Sequence, residues 1–250
     1  GLPMIISVVL ASNMKRMQKD RVLVRRAVGI ETAGSMNILF TDKTGTLTVG
    51  RPRVAHLLLG NGEKISCDGL EQMPVLQEMY LKSARYNTMS TVVGGRAAGG
   101  NGTDRAILES ALSYPKPLAH VQGKRPFDSV QKSSEATIDG VRYYKGAWEK
   151  ILARATHYFA PDGSKHPLSD RARLQRQIGE QAQNAMRVIG VATEQGGTVC
   201  LLCMICIRDG LRSGARSAVR QLRGAGIQVV MMTGDNLQTA CAIAKDAGIT

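Results

Sequence analysis

The sequence predicts an α/β fold built on a doubly wound parallel sheet, and three observations carry that expectation. The apolar run Ile38-Leu39-Phe40 reads as a buried strand and ends in Thr41-Asp42, a carboxylate at a strand's C-terminal edge. Ile227-Gln228-Val229-Val230-Met231-Met232 repeats that pattern and ends in Thr233-Gly234-Asp235. Between them, beyond Gly50-Arg51-Pro52, the pattern changes to a long mixture of strands, helices and hairpin signals. Two such strand edges side by side form the crevice in which open α/β sheets place their chemistry.

In chain order, residues 2–11 are apolar and are followed by Lys15, Arg16, Lys19, Arg21, Arg25 and Arg26. About ten apolar residues are too few to span a bilayer, which needs roughly 20. This stretch is either an amphipathic or buried helix, or the end of a membrane helix with basic residues marking the inner side. Val22-Leu23-Val24 reads as a short strand, and residues 27–35 as a helical turn stopped at Gly34. Residues 54–59 form a strand, Asn61-Gly62 a hairpin turn, and residues 75–84 a helix. Residues 94–102 are glycine-rich and predict a loop; they do not match the phosphate-binding pattern G-x-x-x-x-G-K-[ST]. Thr103 is a natural N-cap for a helix through Ile107, Leu108 and Leu112.

Val141-Arg142-Tyr143-Tyr144 is a strand that delivers Lys145-Gly146-Ala147, an ammonium and a bare stretch of backbone, to a ligand. Residues 171–186 are an amphipathic helix with Leu174, Ile178 and Ala182 on one face. Residues 187–192 and 198–207 are strands, the second running into Arg208-Asp209-Gly210-Leu211-Arg212. Residues 215–223 are a helix ended by Gly224 and Gly226, and residues 239–247 are the last helix.

Hydrophobic residues make up 43% of the 250, enough for a substantial core. The net charge of +13 suits an acidic partner such as a nucleotide or an anionic membrane surface. Aromatics are only 4%, which offers few platforms for base stacking and argues against nucleic acid. The 5 cysteines are an odd number without a secretory leader pattern, which points to a reducing location. Cys200, Cys203 and Cys206 have metal-like spacing but lie in an apolar strand. Strict alternation there turns Cys203 away from the other two.

The most informative stretch is Asp42-Lys43-Thr44-Gly45-Thr46-Leu47-Thr48. Thr44, Gly45 and Thr46 supply backbone N–H groups that can curl around an anion. A carboxylate at the base of such a nest is suited to attack phosphorus and become an aspartyl phosphate.

These seven residues resemble the phosphorylation motif of P-type ATPases, the ion pumps that pass through an aspartyl-phosphate intermediate. The resemblance extends over nearly the whole chain. Phe127, Lys132 five residues on, and Lys145-Gly146-Ala147 match in order and spacing the residues that line the family's ATP pocket. Thr103-Asp104 resembles the family's Thr-Glu, whose acid lies near the adenine, with a side chain shorter by one methylene. Arg187 resembles the arginine that reaches the nucleotide phosphates. Asp209 and Arg212 match Asp-Pro-x-Arg, a hinge and phosphate-side contact, with Gly210 in place of the proline. Thr233-Gly234-Asp235 matches the family's Thr-Gly-Asp. The closest likeness is to the calcium-transporting branch: Gly1-Leu2-Pro3 resembles the end of its Pro-Glu-Gly-Leu-Pro stretch, and Glu31-Thr32-Ala33-Gly34 its linker.

The resemblance implies a Rossmann-like, haloacid-dehalogenase-like phosphorylation domain interrupted by an inserted α/β nucleotide-binding domain with an antiparallel sheet. It implies the cytosolic end of a transmembrane helix over residues 1–20, phosphorylation domain over 21–52 and 208–250, and nucleotide-binding domain over 53–207. Asp42, Lys43, Thr44, Thr233, Gly234 and Asp235 would be catalytic. Asp104, Phe127, Lys132, Lys145, Gly146, Arg187, Asp209 and Arg212 would serve the nucleotide. Mg²⁺ would be held by Asp42 and the Thr44 carbonyl, with ATP as phosphoryl donor and a transported cation, Ca²⁺ by resemblance. The parent protein would be a multi-pass membrane protein with this portion facing the cytoplasm. The family's second Mg²⁺ aspartate motif is expected beyond residue 250, so the chain alone is expected to bind nucleotide and phosphorylate poorly. Two other classes stay open: a soluble phosphatase or phosphotransferase sharing the nucleophile loop, and a non-catalytic nucleotide-binding module. The first usually carries an acid/base aspartate two residues after the nucleophile, where Thr44 stands.

Overall fold

The computed structural model describes residues 2–234 and 237–249, and of Leu2 and Gln238 the backbone alone. The chain begins with α1 (Leu2–Lys19) and α2 (Val28–Gly34), followed by β1 (Ile38–Asp42). Val22-Leu23-Val24 is not a strand: the chain turns at Arg21, whose φ is 63°, and runs on without a partner to pair with. Met4 and Ile5 on α1 stand exposed, and no helix among the described residues is long and apolar enough to cross a membrane.

The middle of the chain folds in order as β2 (Arg53–Leu58), β3 (Lys64–Ile65), α3 (Pro74–Tyr86), β4 (Thr91–Val93), β5 (Arg96–Ala98) and α4 (Gly102–Ser110). Next come β6 (Val121–Asp128), β7 (Ser133–Ile138), β8 (Val141–Ala147), α5 (Trp148–Arg154), β9 (His157–Phe159), β10 (Lys165–Pro167) and α6 (Arg171–Gln183). The series ends with β11 (Arg187–Gln195), β12 (Thr198–Arg208), α7 (Ala215–Gly224), β13 (Gln228–Met232) and α8 (Leu237–Ala247).

Three sheets follow from this order among the described residues, the smallest being the β4–β5 pair. β1 and β13 pair in parallel, with Ile38 opposite Gln228 and Asp42 opposite Met232. A parallel pair needs a crossover, and here the crossover contains the whole inserted domain. Leu47, Ala215, Val219 and Val229 form a small core beside this pair, under α7.

The insertion is built on a nine-stranded sheet in the order β10-β9-β12-β11-β8-β7-β6, with β2 beside β12 and β3 beyond β2. All neighbours are antiparallel except β9 and β12. β12 is central, and its residues 199–207 are apolar because helices cover both faces of the sheet. On one face α3 and α4 bring Leu76, Tyr80 and Ile107 against Leu57, Cys203 and Ile205. On the other, α5 and α6 bring Ile151, Leu174 and Ile178 against Leu58, Leu201 and Met204.

Three local expectations are corrected. Residues 94–102 are only partly loop, since β4 and β5 form a hairpin turned at Gly94-Gly95, with φ of 56° and 76°. Both central residues of such a tight turn need positive φ, which glycine adopts without strain. The N-cap of α4 is Asn101 rather than Thr103: its Oδ1 accepts from the Asp104 backbone N–H at 2.8 Å. In β12 an extra residue sits opposite Val191/Ala192, where Val191 pairs Cys203 and Ala192 pairs Leu201. This bulge resets the alternation, so Cys200 and Cys203 share one face and Cys206 takes the other.

Candidate active site

The first half of the site is the C-terminal edge of the two-stranded sheet. Asp42 ends β1 with its side chain exposed, and the chain then turns sharply through Lys43–Leu47. Thr44 remains extended, and Gly45 takes a φ of 77°, a left-handed value that a side chain would strain. The turn is closed by Thr48, whose backbone N–H donates to the Lys43 carbonyl at 3.0 Å, with its hydroxyl oxygen 3.1 Å from the same carbonyl. Thr44, Gly45 and Thr46 are therefore left exposed at the tip, while Lys43 and Leu47 are buried beneath. Among the described residues no hydrogen bond or ion pair engages the Asp42 carboxylate. On the adjoining strand Met232 stands opposite Asp42, so Thr233 and Gly234 follow at the same edge. Asp235 lies outside the described residues.

A second set of partners holds this turn from behind. Asp209 accepts the Thr48 hydroxyl at 2.6 Å and the Arg51 backbone N–H at 3.2 Å. Arg212 donates to the Gly45 carbonyl at 2.7 Å and the Thr48 carbonyl at 3.2 Å. Backbone bonds from Val49 to Gly210 and from Arg212 to Leu47, each 2.9 Å, complete the zip. The sequence groups Asp209 and Arg212 with the nucleotide; the partners the structure gives them are Gly45, Thr48 and Arg51, in and just after the nucleophile loop. Arg51 is not singled out by sequence, and Thr48 enters there only as the end of the motif, because a backbone N–H and a buried threonine carry no signature of their own.

The other half is a pocket in the inserted domain, lined by Asn87, Met89, Asp104, Phe127 and Ser134. Phe127 is 55% exposed near the end of the edge strand β6, an unusual position for a phenylalanine unless its ring face is reserved for a partner. Beneath it Lys145 is 4% exposed and Asp104 7%, and they meet at 2.6 Å. A buried ammonium is tolerated only with partners; this one also donates to the Asn87 carbonyl. Burial pushes the Lys145 ammonium below its ordinary value, Asp104 opposes that shift, and nearby Lys124 adds to it. Asp104 completes its own bonding by accepting from the Met89 N–H at 3.3 Å.

Gly146 and Lys132 are brought together for a reason the sequence did not show. Lys132 sits in the β6–β7 turn with φ of 53°, and its carbonyl accepts from the Ala147 N–H at 2.8 Å. A Cβ on Gly146 would lie 2.2 Å from that carbonyl oxygen. The glycine thus seats the turn on β8, and the bare backbone at this point faces protein. The Lys132 side chain is exposed and is not among the pocket's lining residues. Arg187, at the start of β11, donates to the Thr103 hydroxyl at 3.1 Å, one residue from Asp104.

The geometry has known counterparts. The chain is 31% identical to a putative calcium-transporting ATPase 13, plasma membrane-type, of Arabidopsis thaliana. It is 33% identical to calcium-transporting ATPase 7, plasma membrane-type, of Oryza sativa subsp. japonica. Both alignments take in 100% of this chain, which spans 27% of the length of each relative. A strand-end aspartate, a parallel neighbour ending in Thr-Gly and an insertion between them agree with the family model of a haloacid dehalogenase-like hydrolase, matched over residues 36–250, and the chain belongs to that family.

Proposed function

We propose that this chain is the nucleotide-binding and phosphoryl-accepting portion of an ATP-driven cation pump of the P-type class, with Ca²⁺ as the transported ion. The observation that carries the reading is the β1–β13 register, which sets the Asp42 carboxylate, unpartnered among the described residues, at the same edge as Thr233-Gly234. An Asp42 oxygen attacks the γ-phosphorus in line. The O–P bond to Asp42 forms as the bond to the leaving oxygen breaks, and ADP departs with that electron pair. Thr44, Thr233 and Gly234 bind the transferring group where its charge develops, and Lys43 adds positive potential. Thr44 also replaces the acid/base aspartate of phosphatases, so the aspartyl phosphate survives long enough to be used.

The donors at this edge fit Mg²⁺, since the Asp42 carboxylate and the Thr44 carbonyl are hard oxygens and both residues are exposed. When bound, the ion neutralises phosphate oxygens. Phe127 stacks on the base, with Lys145 and Asp104 below it, while Lys132 and Arg187 shape the approach and Gly146 seats the turn that carries Lys132; such positioning supplies much of phosphoryl-transfer catalysis. Asp209 and Arg212 act by holding the nucleophile loop. Domain limits of 21–52 with 208–250, and 53–207, follow from the same reading. The names of the relatives support Ca²⁺ and a membrane setting; a multi-pass parent with this portion on the cytoplasmic side and the basic end of α1 next to the bilayer belongs to the same proposal.

The reading is tested by calorimetric titration with ATP. Binding by the wild type and a loss of about tenfold in Phe127→Ala is expected, as stacking on an aromatic is worth roughly 1–3 kcal/mol. Failure of the wild type to bind ATP would overturn it. A phosphorylated species that forms from ATP and disappears in Asp42→Asn, with ATP binding intact, would separate a pump module from a nucleotide-sensing one.

A further inference from the structure

Asn87 directly follows α3 and is 3% exposed. Its backbone N–H closes the helix by donating to the Ser83 carbonyl at 2.9 Å, a task any residue but proline could perform. Its side chain does something else. The amide donates across to two strands, to the Tyr143 carbonyl of β8 at 3.3 Å and the Ser134 carbonyl of β7 at 3.5 Å. A primary amide has two N–H groups, and both are used. With the side chain anchored in this way, the residue's own carbonyl is held against the Lys145 ammonium.

An ammonium carries three N–H groups. Lys145 gives one to Asn87 and one to Asp104, on different elements, so the direction of the third is determined. Asp104 also takes the Met89 N–H, and residues 87–89 therefore wrap the ion pair at the pocket floor. We propose that Asn87 is a positioning residue for nucleotide binding. By tying residues 87–89 to β7 and β8 it fixes the Lys145 ammonium and aims its remaining N–H into the pocket under Phe127. This inference rests on the reading of that pocket as the nucleotide site. The charged groups facing Lys145 are Asp104 from α4 and Lys124 from β6, with Arg125 and Glu135 on the pocket wall.

The experiment is calorimetric titration of the chain with MgATP from about pH 7 to about pH 10, for the wild type, Asn87→Ala and Asn87→Ser, each checked for folding by circular dichroism. Asn87→Ala is expected to bind about tenfold more weakly, the loss of one well-placed charged hydrogen bond. Its alkaline limb is expected at lower pH than the wild type's, because an ammonium with a loosened acceptor deprotonates more readily. Loss of the side chain's ties to β7 and β8 as packing alone would lower the melting temperature and leave the limb in place. Asn87→Ser keeps a small polar side chain that is too short to reach both carbonyls, and covers the case in which alanine does not fold; the same direction with a smaller loss is expected. Wild-type affinity, or weaker binding with an unmoved limb, in a folded variant overturns the role of Asn87 alone. Absence of ATP binding by the wild type overturns the nucleotide site itself.

Discussion

Thr48 donates its hydroxyl to the Asp209 carboxylate at 2.6 Å, joining two residues 161 apart in sequence. The same carboxylate accepts from the Arg51 backbone, so one side chain secures both passages of chain between the parallel pair and the inserted sheet. Asp209→Ala removes a charged acceptor from a buried hydroxyl and is expected to cost about 1–3 kcal/mol of stability in urea unfolding. Phosphorylation at Asp42 should fall about tenfold or more, as expected when a nucleophile is displaced, while ATP affinity holds. A drop in ATP affinity of the same size would show that Asp209 serves the nucleotide directly.

The Lys145–Asp104 pair predicts an asymmetry. Asp104→Ala leaves an ammonium buried with the Asn87 carbonyl as its remaining partner and should cost about 3–5 kcal/mol. Replacing both residues, as Asp104→Ala with Lys145→Met, should recover part of that stability and none of the ATP binding. Denaturant titration and calorimetry on these two variants and the wild type read the two effects separately.

Gly146→Ala would push a methyl carbon to within 2.2 Å of the Lys132 carbonyl and 2.6 Å of the Ser133 Cα. Both obstacles are backbone, so the β6–β7 turn must shift. A loss of about 1–3 kcal/mol is expected from overpacking, with ATP binding weakened because Phe127 precedes that turn. Wild-type melting behaviour would refute the packing role.

His56 lies buried on β2 with no partner for Nε2 among the described residues, and burial together with Lys64 lowers its pKa, against a hydrogen bond to Gln181 that raises it. The folded state thus prefers the neutral ring, and the unfolded chain binds the proton more tightly. The stabilisation is complete above about pH 6.5 and is lost as pH falls below that value toward the lowered folded one. Melting temperature should decline from pH 7 to pH 5, and His56→Gln should flatten that slope.

The parts of the molecule that were legible in the sequence are those written in a single local pattern. The runs at 38–40, 198–207 and 227–232 have few alternatives to a buried strand, and Asn61-Gly62 has few alternatives to a turn. What was illegible depends on three-dimensional competition. Asn101 and Thr103 are both good caps, and only the approach angle decides for Asn101. The bulge in β12 is invisible because Leu202 and Cys203 are equally apolar, yet it reverses the face of each residue beyond it. Val22-Leu23-Val24 has strand composition but no neighbouring edge to bond. At the candidate site, Phe127 and Lys145 are singled out by the family resemblance. Asn87, Thr48 and the true partners of Gly146, Asp209 and Arg212 involve backbone groups distant in sequence, which spacing does not encode.

The zip between residues 48–51 and 209–212 continues directly into β2 and β12, where Arg53 stands opposite Arg208. Antiparallel partners lie about 5 Å apart at Cα, so the segment from Arg53 to Arg208 leaves and rejoins its host almost at one point. It is therefore a cassette. It could be lifted out, closed with a short turn and produced alone, or spliced into the tip of an unrelated hairpin, without stretching donor or recipient. The same closeness would let an ancestral gene accept the whole unit in one insertion while the host sheet kept its register.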